Sequence, residues 1–542
     1  MKGRFKAIKI VLICLLAVAA ALAIGVTTLS RVAQKKIRTA LADIPGARID
    51  FKAVYLLPVS GFAELQDVDF IISDTLGAAP DAPSAPTPDI QGHIEAIKLE
   101  GISWKKLLKG EASANHLVVE SPTARIVLKE AKAQSKTKAH PQPKDTIPQK
   151  SFLKKVSIGE FRVKDGEVSL KGRKGPMKAA AGKIDISVKD VAVKLPEGAF
   201  EYCDSTYSIS IHNLDYTDKK GLSRVQIGLL ETEEAGPVKA QGLHIYNCVK
   251  MEELAEKMGK VAAIWYDAKL DSMSTSPINI PRMINSGSVD IESVQLSGRE
   301  VTILQDDRYP PAVPYPTIQE SLNAVKVPIR IGKAGARIKS LSFIWETTHV
   351  NRGTIPLKNV RASMGSVSNA RGNLMSINVQ TGLADSGSLD LTAQIRNDKA
   401  ETTSGKFQLL NLDLSRLDGF LRPLFGATAR ADVHQIEGSF KGDKTSLNAN
   451  YCMLYDHLSV KAWNDSSAPI LVVAKNSGFV TFLANMALPK SNPAATGKEP
   501  KKVEFSFKRD PMQPYPAYMV QNLLYGIMHT LLPGSTIRKN SK

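Results

Sequence analysis

The sequence predicts a mainly β protein that begins with a membrane-spanning helix and ends with an amphipathic one. Residues 10–29 form an apolar run without a charged side chain. Beyond residue 94, short segments with an apolar residue at every second position recur between Gly, Asp, Asn and Pro residues. This alternation is typical of strands that rest one face on apolar material and turn the other to water. Because helical periodicity is scarce between residues 50 and 510, the body of the chain is predicted to be β.

The N-terminal apolar run is long enough to cross a membrane. Its twenty residues make a helix of ~30 Å, the thickness of a bilayer's hydrocarbon core. Residues 1–9 are predicted to be a cytoplasmic tail, and the bulk of the chain to lie outside, because long domains are translocated largely regardless of flanking charge. The alternative is a cleaved signal peptide, since Ala21-Leu22-Ala23 fits a small-residue cleavage site. Both alternatives export the remaining chain.

Residues 30–128 are predicted to form an N-terminal β region. The membrane helix is expected to continue to Ala42, because a Pro-Gly pair follows and stops it. Residues 51–57 and 62–71 are predicted to be two strands around the turn Pro58-Val-Ser-Gly61.

Two segments have compositions that cannot build a core. Residues 77–88 (GAAPDAPSAPTP) are predicted to be a spacer. Residues 129–150 contain six lysines, two acids and almost no apolar residue, so they are predicted to be a disordered basic linker.

Residues 151–510 are predicted to form the β body. Within it, Ile184, Ile186 and Val188 have even numbers, and the next apolar residues, Val191, Val193 and Leu195, have odd numbers. A one-residue slip at Lys189-Asp190 predicts a bulge or a turn, because otherwise the second apolar set would face solvent. Short helices are predicted at residues 251–258 and 414–425.

Residues 511–542 are predicted to hold a C-terminal amphipathic helix and a tail. The helix is expected over residues 517–532, between Pro516 and Pro533, and it is too short and too polar to span a bilayer. It is expected to lie on a headgroup surface, to cap the end of an apolar groove, or simply to pack on the body. Its apolar stripe consists of Val520, Leu523, Leu524, Ile527 and Leu531.

The formal net charge of +18 is concentrated in three segments. Residues 1–50, 129–150 and 498–542 together carry sixteen of the eighteen excess charges, and the rest of the chain is nearly neutral. This distribution suits anionic lipid headgroups better than a nucleic-acid groove, so no nucleic-acid partner is expected. For the linker, solvated charge without a partner is the alternative.

The four cysteines exclude a disulfide scaffold. Cys14 lies in the apolar run, which leaves Cys203, Cys248 and Cys452. One bridge between Cys203 and Cys248 is a candidate, because these two are nearest in sequence. Three buried free thiols are the alternative.

No enzymatic motif is present. The sequence has no HExxH, GxSxG or CxxC motif, and its nine histidines are scattered, so no catalytic residue, metal site or cofactor is expected. The segment Gly438–Thr445 resembles a phosphate loop but has one residue too few, and it is predicted to be a strand and a turn. The acid pair Asp306-Asp307 has no partner base nearby in sequence. A hydrolase whose groups converge from distant strands remains the alternative.

Several blocks resemble AsmA-like envelope proteins. The apolar run, the turn PVSG and the segment IEAIKLEGISWKKLLKGEASANHLVVESPTARIVL (94–128) resemble the start of such proteins. Residues 301–316, 329–347, 412–462 and 505–533 are similar to AsmA-like proteins of the Bacteroidetes type, in which a closing Lys-Arg-Asp (here Lys508–Asp510) precedes a terminal helix.

The resemblance implies a fold and a function. AsmA-like proteins are similar to bridge-like lipid-transfer proteins, so it implies an elongated, curled antiparallel β-sheet groove (a β-taco) with an apolar floor. It implies an inner-membrane anchor, a periplasmic body, phospholipid acyl chains as ligands, and a role in phospholipid transport to the outer membrane or in outer-membrane biogenesis, with outer-membrane or other envelope proteins as partners. From the periodicity alone, a ligand-free sandwich of two sheets is the alternative, and its functional counterpart is an envelope scaffold or assembly factor. Candidate groove residues are Ile97, Leu99, Leu117, Val119, Ile126, Leu128, Val156, Ile158, Val168, Leu170, Ile329 and Ile331.

Overall fold

The computed structural model describes most of the chain beyond residue 33. The described residues are 34–41 (except 36 and 40), 47–73, 88–128 (except 108 and 110), 155–194 (except 173 and 174), 199–201, 206–346, 352–462 (except 426) and 489–531. The predicted span, nearly all of the 77–88 spacer, the 129–150 linker and Cys203 lie outside them. No helix in the described part of the chain is long and apolar enough to cross a membrane.

Two compact units divide the chain, Met1–Ala240 and Gln241–Lys542. Both are built from strands, so the prediction of a mainly β body with a few short helices is confirmed.

Unit 1 contains a sheet of mostly antiparallel strands. The strands β1, β2 and β3 are neighbours. Both β4 and β5 lie between β3 and β6, antiparallel to β3 and parallel to β6. The order continues β6-β7-β9-β10, and β8 pairs with the end of β7. The strands are β1 (Ala47–Leu57), β2 (Phe62–Ile72), β3 (Asp89–Glu100), β4 (Glu111–Glu120), β5 (Thr123–Leu128), β6 (Lys155–Gly172), β7 (Lys178–Lys194), β8 (Ala199–Glu201), β9 (Tyr207–Thr217) and β10 (Ser223–Glu233), and β11 (Pro237–Asn247) follows at the boundary between the units.

Unit 2 contains a second run of paired strands. The strands from β12 to β21 pair in sequence order, and only β13 and β14 are parallel. They are β12 (Ala263–Pro277), β13 (Val289–Asp306), β14 (Ile329–Glu346), β15 (Arg352–Ser368), β16 (Leu374–Leu383), β17 (Gly387–Arg396), β18 (Thr403–Asp413), β19 (Ala427–Gly442), β20 (Ser446–Ala462) and β21 (Lys502–Lys508).

The helices are short and lie near the predicted positions. Residues 34–41 are helical where described. The predicted helix at 251–258 is shorter, with its α-helical part at Leu254–Lys257, and the predicted segment 414–425 consists of a 3-10 turn (Leu414–Leu417) followed by an α-helix. The C-terminal helix begins two residues earlier than predicted, because proline is tolerated in the first turn of a helix. The α-helices are α1 (Trp104–Leu107), α2 (Leu254–Lys257), α3 (Ile280–Ser286), α4 (Ile318–Asn323), α5 (Asp418–Phe425) and α6 (Tyr515–Leu531).

The two turns predicted from sequence are confirmed. Strands β1 and β2 form an antiparallel hairpin around a 3-10 turn at Pro58–Ser60. Gly61 completes this turn with a φ of +63°, a left-handed conformation that glycine adopts without strain. At the phosphate-loop look-alike, β19 ends at Gly442 and the carboxylate of Asp443 accepts hydrogen bonds from the backbone N–H groups of Thr445 and Ser446.

A recurring four-residue pattern resets the alternation inside long strands. The slip predicted at Lys189-Asp190 lies within β7, where Asp190 has a φ of +55° and turns the following side chains back to the apolar face. Nine further residues inside strands share this left-handed conformation. Each is the third residue of a four-residue segment whose first and fourth residues are apolar or small. They are Asp67, Asp165, Lys183, Asn213, Gly242, Asn359, Ser366, Asn411 and His457. Strands with such irregularities bend and twist more strongly than regular ones.

Candidate functional site

In unit 1, apolar side chains form rows that cross several strands. Val163 of β6 pairs with Ile186 of β7, and Ile186 with Ile209 of β9. Directly opposite residues on one face lie about 4.5–5.5 Å apart at their Cβ atoms, so each row is a continuous apolar strip. The side chains of this surface, here called the unit-1 apolar face, are all half-buried. They are Val163, Val168, Leu170, Ile184, Ile186, Ile209, Ile211, Leu214, Ile227 and Leu230.

The unit-1 apolar face is not fully covered by the described parts of the chain. Between residues 160 and 239, Met177 is the one described apolar side chain that is buried. In a sandwich of two packed sheets, inward residues on this face would be buried instead. Among the described residues this face is therefore only partly covered over strands β6 to β10, and Val163 at its edge packs against the core cluster.

At the N-terminal end of unit 1, by contrast, the apolar face is closed. Ile37 and Leu41 of the helical segment 34–41 are 1% and 0% exposed and join the core cluster of β1 to β4. The guanidinium of Arg38 donates a hydrogen bond of 2.6 Å to the carbonyl of Phe51 and lies 4.5 Å from the centre of its ring. This helical segment is thus fixed on the sheet.

The twelve groove candidates fall into two groups. Six are buried in or under this closed core, namely Ile97, Leu99, Leu117, Val119, Val156 and Ile158. Six are half-buried, namely Ile126, Leu128, Val168, Leu170, Ile329 and Ile331. Of these six, Ile126 and Ile331 pack against core clusters. Ile126 and Leu170 are directly paired, as are Ile291 and Ile331. The alternation of apolar and polar residues in the sequence is the same in both groups, because it shows only that one face of a strand is apolar and not whether that face is covered.

In unit 2, one apolar row runs through seven strands. Met273, Leu296, Ala336, Ala362, Val379, Leu391 and Phe407 are successive partners from β12 to β18. All but Phe407 are half-buried. The surface around this row is called the unit-2 apolar face. It consists of Met273, Val294, Leu296, Val301, Ala334, Ala336, Ala362, Met364, Ile377, Val379 and Leu391.

Helix α6 covers the end of this row. The row continues through Gly438 to Tyr451, which is 2% exposed. Gly526 of α6 lies directly on Tyr451, since a Cβ atom there would be 2.3 Å from the ring. Phe505 and Phe507 of β21 stack on Tyr525 at centroid distances of 6.4 and 5.5 Å. Of the expected placements of the C-terminal helix, the structure shows it packed on the body.

The electrostatics beneath α6 reflect this burial. The ammonium of Lys501 donates hydrogen bonds of 2.9 and 3.0 Å to the carbonyls of His529 and Thr530 and so caps the C-terminal end of the helix. Burial, and secondarily the Lys501 charge, lowers the pKa of His529. Burial raises the pKa of Tyr451 well above its usual value. The Tyr451 hydroxyl and the Asn522 side-chain oxygen are buried without a hydrogen-bond partner among the described residues.

Two other helices bound the unit-2 apolar face at the ends of its strands. Phe420 of α5 packs on Trp345 of β14 with Ile355 nearby. Ile318 and Leu322 of α4 pack partly against the core cluster that contains Val367 of β15. The row from Met273 to Leu391 lies between these closed ends.

Three clefts are lined mainly by polar side chains from the opposite faces of the sheets. A cleft of about 390 Å³ in unit 1 is lined by side chains such as Arg162, Ser187 and Ser208. Two clefts of about 760 and 780 Å³ in unit 2 are lined by polar side chains such as Gln408 and Arg337. Residues of the apolar rows, such as Ile186 and Ala336, also contribute to the lining of two of these clefts.

A buried ion network joins β13 to β14 and was missed in the sequence. The carboxylates of Asp306 and Glu346 are 1% and 2% exposed and lie at paired positions. Arg308 binds Asp306 at 2.7 Å, and Arg352 binds Glu346 at 2.8 Å. The sequence signal that could have predicted this network is an acid at the end of each strand followed by an arginine, two residues later for Asp306 and six residues later for Glu346. Because both acids are paired with arginine, this network is structural.

The adjacent Asp307 is held differently. Its carboxylate accepts hydrogen bonds of 2.5 Å from the Gln305 amide and 2.7 Å from the Trp345 indole. Burial raises its pKa.

Two of the four cysteines, Cys248 and Cys452, lie in the described part of the chain. Cys452 is a buried free thiol whose pKa is raised by burial, while Cys248 is exposed just after β11. The pairing of Cys203 with Cys248 stays a prediction, since Cys203 lies outside the described residues. In the described ranges no group of His, Cys, Asp and Glu side chains could hold a metal ion.

Comparison with family models, with curated proteins and with solved structures found no match to this chain.

Proposed function

We propose that this chain is an inner-membrane-anchored periplasmic protein of the AsmA-like type. Its apolar faces bind phospholipid acyl chains along a β-groove, and it assists phospholipid transport to the outer membrane or outer-membrane biogenesis. The N-terminal helix and the basic ends of the chain bind the inner membrane. An outer-membrane or other envelope protein receives the lipid.

The half-buried apolar rows are the observation that carries the proposal. The row from Met273 to Leu391 passes six strands with no buried member. Covering apolar surface contributes ~25 cal/mol per Å², so an acyl chain lying along such a row is bound by the same force that would pack a second sheet. A row spanning strands rather than a closed pocket suits a long, flexible chain that moves along it.

Three sequence features support the membrane part of the proposal. The apolar run at residues 10–29 has the length of a span. The excess positive charge lies mainly at the ends of the chain and in the 129–150 linker. The resemblance of residues 94–128 and 412–462 to AsmA-like proteins implies the transport role.

Site-specific photocrosslinking in cells tests lipid binding. A photoreactive amino acid at Ile209 or at Val379 is expected to yield covalent phospholipid adducts, detected by mass spectrometry of the purified protein. The matched controls are Ser208 and Gln380, the adjacent residues whose side chains point to the opposite face of the same strands. Equal adducts at both faces, or none at either, would contradict the proposal.

A charged substitution separates lipid binding from the ligand-free scaffold. Ile209→Asp changes a half-buried residue and is expected to fold while losing lipid adducts and envelope protection. Ile158→Asp buries a charge at a site that is 3% exposed and is expected to unfold unit 1 under either hypothesis. A folded Ile209→Asp protein with full envelope protection would favour the scaffold.

A further inference from the structure

The polar face of unit 2 carries two arginines directly opposite each other. Arg337 of β14 is paired with Arg361 of β15, and both are exposed. Lys333 lies four residues before Arg337 on the same face of β14. All three side chains line the cleft of about 780 Å³. Like charges directly opposite on a sheet destabilise it, so this pair costs the fold stability.

None of the three cations is neutralised by the described part of the protein. Lys333, Arg337 and Arg361 form no ion pair and no side-chain hydrogen bond there. By contrast, Arg330 at the start of β14 binds Asp290, and Arg299 of β13 binds Asp271, each at 2.7 Å. The acid in the lining is Asp390. It lies two strands beyond Arg361, through Gln380, a separation of about 10 Å.

Two glycines near the cations are covered by polar side chains of neighbouring strands, the Gln295 amide over Gly335 and the Ser376 hydroxyl over Gly365. Gly335 separates Lys333 from Arg337, and a Cβ atom there would meet the side-chain oxygen of Gln295 at 2.3 Å. The Gln295 amide therefore lies over the glycine, inside the cleft. Gly365, paired with Lys333, likewise carries no side chain. The remaining walls are rich in hydroxyl groups, from Ser272, Ser274, Ser297, Ser363 and Thr392.

We propose that this cleft, the basic cleft, binds an oxyanion carried on a hydroxyl-rich molecule, and that a phosphorylated sugar is the ligand class. Arginine forks match the oxygens of a phosphate, which is also the group that would relieve the Arg337–Arg361 repulsion. The Gln295 amide and the serine hydroxyls donate and accept hydrogen bonds as sugar hydroxyls require. A free inorganic phosphate has the oxygens that the cations bind but lacks the sugar hydroxyl groups for the outer walls of the cleft.

The basic cleft is separate from the proposed acyl-chain site. Successive side chains of a strand point to opposite faces, so Arg337 and Arg361 lie across the sheet from Ala336 and Ala362. The side chains proposed to contact the acyl chain and those proposed to contact the phosphate therefore lie on different faces of β14 and β15. The proposal stands or fails independently of lipid transport.

Isothermal titration of the full chain in neutral detergent tests the proposal. Glucose 6-phosphate is expected to bind more tightly than inorganic phosphate, and glucose not measurably, with affinity falling as salt is raised. The double variant R337Q/R361Q is expected to lose at least tenfold in affinity. The variant R299Q/R330Q removes the same charge from paired, exposed arginines outside the cleft and is expected to bind like the unaltered protein.

Stability provides a second readout. Because R337Q/R361Q removes a like-charge pair, its melting temperature is expected to equal or exceed that of the unaltered protein. Single variants R337Q and R361Q are expected to show intermediate losses of affinity. Absence of phosphate-dependent binding, equal loss in R299Q/R330Q, or a dependence on Arg337 and Arg361 only for binding of anionic phospholipid vesicles would overturn the proposal.

Discussion

Two buried carboxylates, one on each strand, lie at the C-terminal ends of β13 and β14. Asp306 and Glu346 are nearly inaccessible, yet each carboxylate keeps an arginine at hydrogen-bond distance. A buried ion pair contributes little net stability, but removing one partner leaves an uncompensated charge. The parallel pairing of β13 and β14 therefore depends on Arg308 and Arg352 being present together with the acids.

Arg308→Met is expected to destabilise the protein by about 3–5 kcal/mol. Asp306 would retain only the backbone N–H of residue 308 as a donor from this contact. Urea unfolding followed by tryptophan fluorescence measures the change, since Trp345 donates to the neighbouring Asp307. The control Arg330→Met breaks an exposed pair and is expected to cost no more than about 1 kcal/mol. Equal losses in the two variants would show that the buried network is unimportant.

Of the ten left-handed residues inside strands, the sequence pattern predicted one, Asp190. Asp190 was visible because three apolar residues on each side keep a strict parity. At Asn213 and Asn359 the flanking alternation is short or interrupted, so a slip cannot be distinguished from a strand end. The Arg337–Arg361 pair was also invisible, because the register of β14 and β15 is fixed by tertiary pairing and not by local pattern.

Among the elements, helix α6 has a contact that admits no larger residue. Gly526 touches the Tyr451 ring, and two polar atoms beneath the helix have no partner among the described residues. Each such buried polar atom costs free energy. The aromatic contacts and the Lys501 cap therefore hold the helix on the sheet. They offset the free-energy cost of the two buried polar atoms that lack hydrogen bonds.

Gly526→Ala is expected to lower stability by about 1–3 kcal/mol, because an added methyl group overpacks the helix against Tyr451. Limited proteolysis is expected to cut the C-terminal segment faster as α6 loosens. Gly419→Ala in α5 is the matched control: a Cβ atom there meets nothing within 4 Å, and alanine favours a helix by up to about 1 kcal/mol. Unchanged proteolysis and unfolding of the Gly526→Ala protein would refute the tight contact.

Elements with local signals were predicted well, and those that depend on distant partners were not. The β1–β2 hairpin and α6 follow from turn residues and helical spacing. The burial of Ile97 and Ile158 beneath the segment 34–41 could not be predicted, because alternation does not state what covers a face. The parallel pairing of β13 with β14 was missed for the same reason, since residues 307–328 separate the two strands.

At the scale of the whole molecule, the helical segment 34–41 is fixed to the first strands of unit 1. Ile37 and Leu41 are fully buried in the unit-1 core. Under the proposed function, a membrane span at residues 10–29 would hold the body at this segment.

A chain shortened to begin at residue 31 is expected to separate anchoring from folding. It keeps Ile37 and Leu41, so its unfolding midpoint in urea is expected to match that of the full chain. It is expected to leave the membrane fraction and to lose envelope protection, scored by detergent sensitivity of cells. Full protection by the released body would contradict the positional role of the span. As a control for the helical segment 34–41, Leu41→Ala in the full chain is expected to cost about 2–5 kcal/mol.

The left-handed residues inside strands have a consequence for how such a chain can vary. Each stands between two apolar or small residues that are three apart, as Leu65 and Val68 flank Asp67 and Leu409 and Leu412 flank Asn411. Deleting that one residue restores an unbroken two-residue period and leaves every apolar side chain on its original face. A one-residue deletion, ordinarily ruinous in a strand, would here remove a bend and preserve the core. The left-handed residues thus determine the curvature of the strands, while the flanking apolar residues determine which face is buried. The shape of the sheet can therefore change by one-residue insertions and deletions while the apolar surface is kept.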